Sequence, residues 1–247
     1  ISSGVPDASS PPKEIDYFPK GGLKPGSIEY YPEGLLGYQF LKRGFQGVYL
    51  EKAEDEKKER LFQINEASAE YYHHLLSSAK AGEAARRYLA ARTVTPETIK
   101  EFRLCFSPDA WETIKNYLLG KGYAEKELVE AGLVIEKEEG GSYDRFRNKL
   151  MFPICDSQGR VIGFGARVLD DSLPKYINSP QTTIFDKSSS LYGIDKAKSA
   201  IRKKNLVIIV EGYMDVLTAH QHGWQNVVGS MGTSLTEKQV EGIKRLT

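Results

Sequence analysis

The feature that most constrains this chain is the run Leu206-Val207-Ile208-Ile209-Val210, which ends directly on Glu211-Gly212. Five consecutive apolar residues, four of them β-branched, leave no polar face for water, so the strand they form must be covered on both sides. Residues 215–222 read as the helix that follows, ended by Gly223. Val227-Val228 reads as a second buried strand and residues 236–245 as a second helix. This βαβα order is the opening of a parallel, doubly wound α/β sheet, in which ligands bind beyond the carboxyl ends of the strands.

Glu211 stands at that position. A carboxylate there is placed to hold a hard cation such as Mg²⁺, which takes oxygen ligands. Gly212 allows a sharp exit from the strand. Asp215, four residues on, faces the same side if the helix has begun. Converging carboxylates are what metal-assisted phosphoryl transfer requires. The same residues also fit a plain helix entry, where negative charge is favourable, and spacing alone leaves both readings open.

Upstream, the pattern turns helical from Glu54, with Leu61, Ile64, Ser68, Tyr71, Tyr72 and Leu75 at helical spacing. Further helices are predicted over 83–92, from Thr95-Pro96-Glu97 onward, over 107–119 opening at Ser107-Pro108-Asp109, and over 125–130. Strands follow over 133–136, then a hairpin of 149–155 and 161–168 across Asp156-Ser157-Gln158-Gly159, then a helix over 189–202. Residues 1–44, with six prolines and no helical or strand period, support only short extended pieces and turns.

The 34 basic residues are matched by 33 acidic ones, so any nucleic-acid surface must be local. The two cysteines, Cys105 and Cys155, lie far apart with no Cys or His at metal-ligand spacing. That excludes a disulfide framework and a zinc site in this chain and fits a cytoplasmic home. No apolar run approaches the roughly 18 residues of a membrane span. His73-His74 are adjacent on a helix, their rings about 100° apart. Together with His220 and His222 they are read as structural or surface. Trp111 and Trp224 are assigned to a core or interface, with base stacking the alternative.

Several segments resemble one family. Val210-Glu211-Gly212-Tyr213-Met214-Asp215-Val216 is similar to the first motif of the Toprim fold, in the form found in bacterial DnaG-type primases. So, in order, are Asp144-Arg145-Phe146-Arg147-Asn148 with the strand after it, Gly163-Phe164-Gly165-Ala166-Arg167, Pro174-Lys175-Tyr176-Ile177-Asn178, Phe185-Asp186-Lys187, Leu191-Tyr192-Gly193 and Gly229-Ser230-Met231-Gly232-Thr233. The resemblance implies an α+β amino-terminal subdomain over 47–202 followed by the start of a parallel Toprim-type sheet over 203–247, with 1–46 outside both. It implies an enzyme that copies a single-stranded DNA template into a short RNA primer from ribonucleoside triphosphates, with Mg²⁺ or Mn²⁺. Replicative helicase and single-strand-binding protein are the implied partners, at replication forks near the nucleoid.

By position, Glu211 takes the catalytic and metal-binding role, with Asp215 beside it. Arg145, Arg147, Arg167, Lys175 and Lys187 take the basic ridge that holds template or triphosphate. Alternation would put Arg145 and Arg147 on one face of a strand and Phe146 on the other. No side chain stands out as a general base. The family's zinc module and the Asp-x-Asp pair that completes its metal site are not found, the latter expected beyond Thr247. Ile1 is not expected to be a translation start. The chain by itself is therefore expected to be inactive, and the alternatives are a non-catalytic single-stranded-DNA-binding module, another Toprim enzyme or an inactive fragment.

Overall fold

In the computed structural model, residues 45–232 and 234–246 are described, with side chains from residue 54 onward. The turns expected over 1–44 lie outside the described residues. The chain divides into two units, 1–57 and 58–247. The described part of the first is the opening of helix α1, which runs Phe45–Ser78.

The second unit continues with α2 (Glu83–Ala91), α3 (Pro96–Glu101), β1 (Cys105–Ser107), α4 (Thr113–Gly120) and α5 (Glu125–Glu130). Next come β2 (Val134–Glu136), β3 (Ser142–Asp144), β4 (Lys149–Cys155), β5 (Val161–Val168) and β6 (Tyr176–Asn178). It closes with α6 (Ile194–Lys204), β7 (Ile208–Val210), α7 (Tyr213–Gln221), β8 (Val227–Gly229) and α8 (Glu237–Lys244). The order β1-β4-β5-β6 forms an antiparallel sheet, β2 and β3 a small hairpin, and β7 and β8 a parallel pair.

The four-stranded sheet is covered on both faces, which is why its central strands read as nearly unbroken apolar runs. One face sends Met151, Phe164 and Ala166 against Leu61, Ile64 and Tyr72 of α1. The other sends Leu150, Phe152 and Ile154 against α2, α7 and the start of β8. The β7–β8 pair is flanked likewise: Val216 and Leu217 of α7 lie on one side, and Ile201 of α6 and Ile243 of α8 on the other.

Gly165 explains how the two sheets meet. A Cβ on Gly165 would lie 2.2 Å from Cζ of Tyr213, so only glycine lets that ring lie on β5. The ring stacks on Phe152 (4.7 Å, 12°) and meets Tyr192 edge-on (4.8 Å, 77°).

Four sequence expectations are corrected. Ser107-Pro108-Asp109 does not open a helix: Cys105–Ser107 pairs with β4, and α4 begins only at Thr113. Its amides are capped from far away, Ile114 N–H and Lys115 N–H donating to the buried Asp144 carboxylate at 2.8 and 3.1 Å. The helix expected from Ser189 begins at Ile194. Before it, Asp186 accepts from Ser188 N–H and Ser190 N–H folds back on the Asp186 carbonyl. Tyr192 then bridges to Gly229, and Gly193 turns at φ +79°. Arg145 and Arg147 lie between β3 and β4 rather than on a strand, although Phe146 between them is buried. Residues 206–210 are only half-buried or exposed, because β7 is paired on one edge alone among the described residues and Leu206 lies outside it.

Two outcomes are expected. Gly165→Ala lowers unfolding free energy by about 1–3 kcal/mol in urea titrations, because the clash is with a packed ring. Asp186, brought down to about 2 mainly by the Ser188 hydroxyl and by Lys238 of α8, contributes stability that is complete above its ordinary carboxylate range and is lost as pH falls through about 2. Asp186→Asn therefore flattens the acid limb of the unfolding midpoint between roughly pH 4 and pH 2.

Candidate functional site

At the carboxyl ends of β7 and β8 the chain opens into a cleft of about 390 Å³. Glu211 is exposed on its wall, and its carboxylate has no hydrogen-bond or ion-pair partner among the described residues. The backbone around it is fixed: Gly232 N–H donates to the Glu211 carbonyl at 3.1 Å and Ser230 N–H to that of Val210 at 2.9 Å. Met231, between them, is held at φ +60°, an uncommon conformation for a side chain of its size. Asp215 lines the same cleft, but its Oδ2 accepts from Gly212 N–H at 3.1 Å. It therefore caps the first turn of α7 as well as facing the cleft. The helix-entry reading left open by spacing thus falls on Asp215, while Glu211 takes no part in the cap.

The opposite wall is cationic. Arg167, leaving β5 on the same face as Gly165, places its guanidinium 4.4 Å from the Tyr88 ring centre and 5.7 Å from that of Tyr176. It donates to Val168 O at 2.8 Å and interacts with the Tyr176 hydroxyl. Arg92 sits 5.3 Å from the same Tyr88 ring. Neither arginine has a carboxylate partner among the described residues. Lys187, in the 182–190 turn, lines neither this cleft nor the one described next. With the Asn178 amide oxygen turned toward it, Lys187 Nζ donates at 3.1 Å while the Asn178 nitrogen donates to Tyr213 Oη at 2.5 Å.

Arg145 and Arg147 share a second, smaller cleft of about 230 Å³ with Lys149, Asp109 and Asp170. Arg145 is half-buried and its Nε has no partner. Burial pushes its guanidinium below its ordinary value and does the same to the Lys149 ammonium. Arg145, which loses solvation with no carboxylate acting on it, is poised to gain from an anion; on Lys149 the Asp170 carboxylate partly offsets the loss. Arg147 lies 4.2 Å from the Trp111 ring and 5.0 Å from that of Tyr143.

The expected ridge is thus two clefts, Arg167 in one and Arg145 with Arg147 in the other. Lys175 is exposed between β5 and β6 and lines neither. Arg92, Tyr88 and Tyr176 were missed from the sequence. The only available signal was Tyr88 and Arg92 at helical spacing with no apolar role for the arginine. Of the core or interface roles expected for the tryptophans, the core one is corrected, since Trp111 is 61% and Trp224 57% exposed. His73 Nδ1 lies 2.7 Å from Leu104 O and His220 Nε2 2.8 Å from Val227 O, structural roles as read. Among the described residues no three His, Cys, Asp or Glu side chains group as a metal site. No helix there is long and apolar enough to cross a membrane.

Comparison with known proteins follows this geometry. Residues 71–198 match the family model of the DNA primase catalytic core, N-terminal domain, and residues 205–246 that of the Toprim domain. The DNA primase of Clostridium acetobutylicum is 45% identical over 193 residues, 77% of this chain and 31% of that protein. That of Deinococcus radiodurans is 43% identical, over 81% of this chain and 34% of that protein. The chain thus spans about a third of the length of these curated relatives. The RNA polymerase domain of Mycobacterium tuberculosis primase DnaG superposes with a TM-score of 0.72 at 37% identity, covering 76% of this chain and 61% of that one. A DnaG primase catalytic domain bound to ssDNA gives 0.72 at 38%, covering 78% and 62%.

The two carboxylates separate by stability. Asp215→Ala, losing a cap, costs about 0.5–2 kcal/mol. Glu211→Gln, losing no bond, stays within about 0.5 kcal/mol of the parent in the same denaturant titration.

Proposed function

The chain belongs to the DNA primase catalytic-core family, and from that premise we propose that it forms the part of a primase that holds template and nucleotide and supplies the first carboxylate of the metal site. In this reading residues 47–202 are the amino-terminal subdomain, 203–247 the Toprim portion, and 1–46 stand apart. The single observation that carries it is the Glu211 cleft. There, among the described residues, a carboxylate without a protein partner sits at a parallel strand end, in one cavity with two guanidiniums that also lack carboxylate partners.

A free carboxylate draws a divalent cation, and free guanidiniums draw a polyanion. Together they suit a nucleoside triphosphate with Mg²⁺ or Mn²⁺. Glu211, with Asp215 beside it, would hold the metal. When bound, that ion supplies the positive charge that stabilises displacement at the α-phosphate. Arg92, Arg167 and Lys187 hold the triphosphate by charge-assisted hydrogen bonds. Arg145 and Arg147 take template phosphates, with the exposed Trp111 ring as a platform for a base. Lys175, exposed and unengaged by either cleft, adds long-range attraction for the strand. Single-stranded DNA, ribonucleoside triphosphates and the growing RNA primer are then the ligands. Helicase and single-strand-binding protein are partners of the parent enzyme, which works in the cytoplasm at the nucleoid.

A second reading, a non-catalytic single-strand binder, is favoured by one observation: no third metal-ligating side chain groups with Glu211 and Asp215 among the described residues. Glu211→Gln in the primase that carries this chain separates the two. Primer synthesis falls by at least about 10³-fold with single-strand affinity unchanged if the first reading holds. An unaffected synthesis rate leaves only the binder. In either case Arg145→Ala weakens single-strand binding and reduces the salt slope of log K by about 0.7.

A further inference from the structure

The two guanidiniums of the Glu211 cleft raise a physical problem. Like charges on one wall repel, and the usual remedy is a carboxylate between them. Here that remedy is absent among the described residues, and both arginines converge instead on one aromatic ring. Arg92 lies 5.3 Å and Arg167 4.4 Å from the centre of Tyr88. The arginines come from opposite parts of the chain, Arg92 from the end of α2 and Arg167 from β5, so the ring joins two elements as well as two charges. Tyr88 and Arg92 are four residues apart on and after α2, which sets them on one side.

We propose that Tyr88 is a positioning residue whose ring holds Arg92 and Arg167 in register to receive the polyphosphate of a nucleoside triphosphate. The inference rests on the reading of this cleft as the nucleotide site. An aromatic face attracts a cation through its quadrupole but carries no net charge. It therefore fixes both guanidiniums without neutralising them, whereas a carboxylate in the same place would cancel the field that the phosphates need. Arg167 gives one N–H to Val168 O and interacts with the Tyr176 hydroxyl, which still leaves donors of its five available. The Tyr88 hydroxyl is buried and has no hydrogen-bond partner among the described residues. The function at this position therefore belongs to the ring and not to the oxygen.

The test measures KM for ribonucleoside triphosphate and kcat in the primase that carries this chain. Tyr88→Leu removes the ring and raises KM about tenfold, two weak cation–ring contacts being lost, while kcat changes less than about threefold. Tyr88→Phe keeps the ring and restores KM to within about twofold of the parent. Replacing Tyr88 by phenylalanines of increasing fluorination keeps the shape and drains the ring face of negative charge. KM then climbs with each fluorine, a trend that a purely structural role does not produce and that is readable even if the leucine variant folds poorly. A flat KM across the fluorinated series, or a phenylalanine variant as impaired as the leucine one, overturns the proposal. Arg167→Ala with an unchanged KM brings down the reading of the cleft itself, and Tyr88 with it.

Discussion

The placement of Tyr213 on Gly165 is the contact on which the rest of the molecule depends. Tyr213 is the first residue of α7, two positions after Glu211. Gly165 lies on β5, two positions before Arg167 and on the same face of the strand. One ring lying on one bare backbone position therefore fixes both the carboxylate and the guanidinium that share the cleft. The packing around it is close: Phe152 below, Tyr192 at the edge, Tyr176 stacked at 6.1 Å, and the Asn178 amide at the hydroxyl. Burial pushes the Tyr213 phenol well above its ordinary range, so it stays neutral and its oxygen can accept from Asn178.

Among the described residues, arginines differ in what holds them. Arg60 and Arg103 pair with Glu127 and Glu66 at 2.8 and 2.5 Å and tie α1 to the elements beneath it. Their charge is consumed locally, so they serve packing. Arg92, Arg147 and Arg167 rest on rings, and Arg145 is half-buried with an unpartnered Nε. Their charge remains available to a ligand. Exposure does not mark the difference, because half-buried residues occur in both sets. It also reconciles a net charge of only +1 with a polyanion-binding reading: what matters is where the charge is left uncancelled.

Much of the fold was legible from local pattern. The β4–β5 hairpin, the Thr95-Pro96 helix start and the parallel β7–β8 pair follow from periodicity, capping chemistry and β-branched runs. These depend on neighbours only a few residues away. The misplaced elements share one cause. The cap of α4 is Asp144, some thirty residues from the amides it serves, and the strand at Cys105–Ser107 exists only because β4 lies alongside it. Nothing near Ser107 in the chain announces either.

For the site the same boundary holds. The sequence by itself determined that Glu211 would stand at the carboxyl end of a parallel strand, because an apolar run followed by Glu-Gly has few other ways to end. It also marked Arg145, Arg147 and Arg167 as cations in the segments that resemble the primase family. Only the tertiary structure decided that these arginines divide between two clefts, that Arg92 joins Arg167 on the ring of Tyr88, and that Lys175 lines neither. Strand chemistry is set by residues adjacent in the chain. Charge made available or cancelled is set by which side chains the packing of distant elements brings within a few ångströms.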